Sequence, residues 1–103
     1  MPLTQEQKKQ YKAIGHHLKP IVTVADNGLT EGVVAELERA LSDHELIKIQ
    51  LRITERADRL AAISTVCKTA KSELVQVIGK MALIYRKNPK ANKQLSNISR
   101  HLV

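Results

Sequence analysis

Four side chains in this 103-residue chain carry atoms suited to catalysis: Asp26, His44, Glu45 and Cys67. A carboxylate or imidazole could serve as base and the thiol as nucleophile, but that chemistry needs nucleophile and base within hydrogen-bond reach of each other. Nothing in the sequence brings them there. Cys67 is the single cysteine, which excludes an intramolecular disulfide and a Cys-based zinc site. It falls at helical spacing with Leu60 and Ile63, as a core thiol would. His16 and His17 are adjacent, so on a helix they point in different directions, and no acidic or Cys ligand lies close by in sequence. No metal and no cofactor is expected. His44-Glu45 reads as a helix C-terminal interaction. The chain is read as a binding protein and not as an enzyme.

A second kind of chemistry is better supported. Val22-Thr23-Val24-Ala25 is a short β-rich run, Asp26-Asn27-Gly28 is turn chemistry, and Thr30-Glu31 opens an amphipathic helix. Asn and Gly tolerate the left-handed backbone of a tight reversal. Thr30 caps the helix through its hydroxyl, and Glu31 suits the positive end of its dipole. A strand that passes through such a loop into a helix N-terminus exposes backbone N–H groups, which suits them to a phosphate. The plain alternative is an ordinary strand-to-helix connection.

The elements around that turn follow from periodicity. Thr4 and Gln7 form a capping box for a first helix with Tyr11, Ile14 and Leu18 on one face, stopped by Gly15 and Pro20. Ile21–Val24 is apolar nearly throughout, as an inner parallel strand would be. A second helix, about 30–42, aligns Val33, Val34, Leu37 and Leu41. Residues 46–53 then alternate, with Ile47, Ile49, Leu51 and Ile53 one way and Lys48, Gln50 and Arg52 the other. That second face is either simply solvated or a basic binding surface. A third helix spans about 55–70, and 74–78 with 81–85 form a hairpin about Gly79-Lys80. The order is αβαβαββ. Right-handed crossovers place the second and third helices on the same sheet face. Residues 88–103 lack a sustained apolar period and read as a mobile basic tail.

Charge distribution points to the partner. The net charge is +7. Residues 1–25 carry +3, residues 26–73 carry −2, and residues 74–103 carry +6 with no acid at all. A balanced middle between two basic ends predicts a polyanionic partner. Phe and Trp are absent and Tyr11 and Tyr85 are the only aromatics, which argues against base-stacking platforms. No apolar run approaches the ~20 residues of a membrane span. Gln5, Glu6, Lys8 and Lys9 lack the apolar core of a signal peptide, so a cytoplasmic location without membrane association is expected.

Several words of this sequence, in order, resemble one known family. Leu18-Lys19-Pro20, Asn27-Gly28-Leu29-Thr30-Glu31-Gly32, Ala40-Leu41 before His44-Glu45-Leu46-Ile47-Lys48, and Val77-Ile78-Gly79-Lys80 before Leu83-Ile84-Tyr85-Arg86 are similar to the CRM domain (chloroplast RNA splicing and ribosome maturation). They are most similar to its stand-alone bacterial, YhbY-like form. The resemblance covers about residues 4–87. It implies a two-layer α/β fold with a four-stranded mixed sheet, like the C-terminal domain of the third translation initiation factor. It also implies RNA binding in ribosome assembly, on precursor large-subunit ribosomal RNA, without catalysis.

In that family the RNA-contacting loop is a G-x-x-G turn like that of KH domains. The matching positions here are Ala25-Asp26-Asn27-Gly28, so the first glycine is replaced and an acid follows. Gly28 still supplies a left-handed turn. Ala25 works only at negative φ, and Asp26 repels a phosphate at short range. Weight therefore shifts toward Lys19, Lys48, Lys80, Arg86, Lys87 and the basic tail as RNA contacts. The expectation is a single domain over 1–87 followed by the tail, monomeric, binding RNA by phosphate contacts and shape. DNA binding shares the charge argument, and competition between ribosomal RNA and duplex DNA separates the two.

Overall fold

In a computed structural model of the chain, which describes residues 3–101, the elements run α1 (Gln5–Gly15), β1 (Pro20–Ala25), α2 (Glu31–His44), β2 (Leu46–Arg52), α3 (Arg56–Thr69), β3 (Glu73–Ile78), β4 (Met81–Tyr85) and α4 (Asn97–His101). The first helix starts where the sequence says it should. Thr4 Oγ1 accepts from the Gln7 amide at 3.1 Å, and Gln7 Oε1 accepts from the Thr4 amide at 3.0 Å. Two of the helix's orphan N-terminal donors are thereby satisfied.

The four strands form one mixed sheet in the order β1-β2-β4-β3. β1 runs parallel to β2, and β4 is antiparallel to both β2 and β3. Strand alternation then sorts the side chains. Val22 and Val24 of β1, Ile47, Ile49 and Leu51 of β2, and Ile84 of β4 face α2 and α3, where Leu37, Leu41, Ile63 and Val66 close the main core. Both crossover helices lie on this face, as expected.

The other face is covered at one end only. There α1 lays Tyr11 and Ile14 over Leu46, Val75 and Leu83. The rings of Tyr11 and Tyr85 stand 4.9 Å apart at a tilt of 47°. Gly15 allows this close approach, since a Cβ there would meet the Leu83 side chain at 2.5 Å. Its role in packing is added to the helix stop read from the sequence. Beyond α1, Thr23, Lys48, Gln50 and Arg52 lie on the open half of the face.

The described part of the segment after Arg86, residues 87–101, departs from the mobile tail expected over 88–103. It folds back over the C-terminal end of α2. The Asn88 amide donates to Glu45 Oε2 at 2.8 Å, Ser96 Oγ donates to Glu45 Oε1 at 2.7 Å, and Asn97 Nδ2 donates to the Leu46 carbonyl at 2.6 Å. Ser96 and Asn97 are buried, and Ile98 packs beside Tyr11 and Leu83 in the smaller core. The ties are mostly polar, to partners more than forty residues away, so apolar periodicity carries little trace of them.

Candidate nucleic-acid interface

Residues 25–28 form the turn that the sequence proposed. The Gly28 amide donates to the Ala25 carbonyl at 2.9 Å, and Gly28 has φ of +73°. A Cβ at Gly28 would meet nothing within 4 Å, so the backbone angle rather than crowding requires glycine. Ala25 keeps a negative φ, as the last residue of β1, paired with Arg52. Losing the family's first glycine therefore does not distort the turn. Asp26 and Asn27 are exposed at its tip.

The turn leads directly into α2. Thr30 Oγ1 accepts from the Val33 amide at 3.2 Å, while the Glu31 and Gly32 amides lie in the first turn, outside the helix's own hydrogen-bond ladder. Those donors and the helix dipole favour an anion at this end.

Strand register decides which basic residues join the turn. Arg52 pairs with Ala25 across β1 and β2. The Lys80 carbonyl accepts from the Leu51 amide at 2.7 Å, which holds the β3–β4 turn against the same end of β2. Gly79, at φ of +56°, supplies the reversal there. Loop 25–28, Arg52 and Lys80 thus stand at one end of the sheet. Arg52 was legible as a wet-face residue of β2, but its place beside the loop was not, because register is a tertiary property.

Lys19 and Lys48 stand toward the opposite end, where Pro20 pairs with Lys48. With His17, Leu18, Ile21, His44, Asn97 and Arg100 they line a groove of about 320 Å³. Arg100 was hidden in the expected tail. Lys87 is exposed just after β4.

Arg86 takes a different role from the one expected. Its Nη1 donates to Glu38 Oε2 at 2.8 Å and to the Ala70 carbonyl at 3.0 Å. Its Nη2 donates to the Glu38 carbonyl at 3.2 Å and to Ser42 Oγ at 3.0 Å. The guanidinium clamps the ends of α2 and α3 together. Among the described residues this pair with Glu38 is the only ion pair.

The candidate catalytic atoms are dispersed. His44 Nδ1 lies 2.8 Å from the Leu95 carbonyl, and the Glu45 carboxylate is taken up by Ser96 and Asn88. Burial pushes the Cys67 thiol above its ordinary value, and the nearby Glu73 carboxylate adds to the rise. Burial likewise raises Tyr85, helped by Tyr11. Among the described residues no group of three His, Cys, Asp or Glu side chains could hold a metal ion, and no helix is long and apolar enough to cross a membrane.

Known proteins resemble this chain in sequence and in fold. A family model described as the CRS1 / YhbY (CRM) domain matches residues 3–86. A protein of Pseudomonas aeruginosa named as a probable RNA-binding protein is 70% identical over 100 residues, covering 97% of this chain and 96% of its own. An RNA-binding protein of Haemophilus influenzae is 41% identical over 93 residues, covering 90% and 94% respectively. The solution structure of a Staphylococcus aureus protein, 33% identical, superposes with a TM-score of 0.77 over 91% of this chain and 97% of that one.

Proposed function

The chain belongs to the CRS1 / YhbY (CRM) domain family, and on that premise we propose that it binds RNA and acts in assembly of the large ribosomal subunit, on precursor ribosomal RNA, as a cytoplasmic monomer without catalysis. One observation carries the reading. An amide-bearing turn at a helix N-terminus, Arg52 and Lys80 share one end of a sheet whose open face carries further cations. Phosphates are attracted by such an array whatever the base sequence.

The primary contacts in this reading are Ala25, Asn27, Gly28, Arg52 and Lys80, with Asp26 a repulsive group at the tip. Lys19 and Lys48 extend the same face toward the other end of the sheet, and Lys87 lies beyond β4. Arg86 is withdrawn from the contact set because four hydrogen bonds hold it inside the fold. Aromatic stacking has little place, since neither Tyr11 nor Tyr85 lies on the open half of the sheet.

Sedimentation of cell extract on a sucrose gradient tests the proposal. The protein co-migrates with immature large subunits and is released at high salt. Recovery only in the soluble top fractions contradicts it.

A further inference from the structure

The family match ends at residue 86, yet the C-terminal segment beyond it is built into the fold and forms one wall of the groove at the Pro20 end of the sheet. That wall is fixed. Asn97 is buried and donates to the Leu46 carbonyl, Ser96 is locked to Glu45, and the Arg100 amide donates to the Ser96 carbonyl at 3.0 Å. Arg100 is therefore held over the groove by packed residues. Lys19, in the connection just before β1, and Lys48 of β2 line the groove with it, with His17 beside them. The lining includes Ile21 of the edge strand β1, which is 48% exposed.

We propose that this groove is a second RNA site, taking the sugar–phosphate backbone of a single strand that begins at loop 25–28 and crosses the open face of the sheet. The proposal rests on the RNA-binding reading above and deepens it. Both sites lie at the two ends of β1, and Pro20 to Ala25 spans about 17 Å at strand rise. A stacked strand advances about 3.4 Å along its axis per nucleotide, so roughly five steps, or six nucleotides, carry it from one end to the other. Between them the path meets Thr23 and Gln50, polar groups able to contact sugars or bases, and Lys48. Lys19, Lys48 and Arg100 give the far end three cations with no carboxylate partner among the described residues. Ile21 gives a base an apolar surface.

The test is a length series of single-stranded oligoadenylates of three, six, nine and twelve nucleotides, titrated by fluorescence anisotropy. Wild-type affinity rises at least tenfold between three and six nucleotides and only gently after that. Arg100→Glu and Lys19→Glu each shrink this step to threefold or less, with circular dichroism confirming the fold. Lys68→Glu makes the same change in net charge on α3, on the opposite side of the sheet, and keeps the step. An unchanged step in Arg100→Glu and Lys19→Glu overturns the second site while RNA binding itself stands. Equal loss in Lys68→Glu also overturns it, since bulk charge then explains the effect. No binding at any length by the wild type removes the RNA-binding reading as well.

Discussion

Arg86 directs four hydrogen bonds into the protein, whereas Lys48 sits half-buried on the open sheet face beside the groove. Sequence alone lists both as basic residues near strand ends and cannot separate them, because the partners of Arg86 lie 16 to 48 positions away. The difference predicts opposite phenotypes. Arg86→Ala lowers stability by about 1.5–3 kcal/mol, most of it from the lost bonds to Ala70 and Ser42; the ion pair adds little, since Glu38 is 49% exposed. Lys48→Ala changes stability by less than about 0.5 kcal/mol and weakens RNA binding several-fold. Urea denaturation followed by circular dichroism, beside RNA titration, reads both. The loop makes a second residue-scale case. Its Gly28 was legible because turn chemistry is local. Ala25→Gly relaxes a steric limit and tightens RNA binding, at about 0.5–1 kcal/mol of stability. A folded Gly28→Val, strained at φ of +73°, weakens it. Parental affinity in both would reduce the loop to a connection.

Among the elements, helices and strands were legible to within a few residues, since α1's capping box and the alternation of β2 are local signals. The C-terminal segment was not. Its anchor is Glu45, a non-glycine residue at φ of +61°, whose buried carboxylate receives Ser96 and Asn88. An unusual backbone angle of this kind persists only where surroundings over-determine it, and the docked segment does so. Read as a mobile tail, residues 88–103 would be removable without thermal cost. With Asn88, Ser96, Asn97 and Ile98 docked, removal carries a thermal cost. Truncation after Arg86 strips Glu45 of two donors and uncovers Tyr11 and Leu83, for a loss on the order of 1–2 kcal/mol, or a fall in Tm of roughly 4–15 °C. Differential scanning calorimetry checks it, and an unchanged Tm would restore the mobile tail.

At the scale of the molecule, a chain of +7 places Lys19, Lys48, Arg52, Lys80 and Arg100 on the open face and at the two ends of one sheet, while α2 and α3 carry acids and cations together on the other side. The charge asymmetry was visible in the sequence; its gathering along one path required the strand order and register. The central claim is that phosphate contacts along this path hold RNA. It is tested most directly by the salt dependence of RNA affinity, measured with one single-stranded oligonucleotide from low to moderate salt. Neutralising about four phosphates predicts that log K falls against log salt with a slope near roughly −3. Lys48→Ala or Arg52→Ala makes the slope shallower by somewhat less than one. A slope near zero, with affinity intact at high salt, would contradict the account.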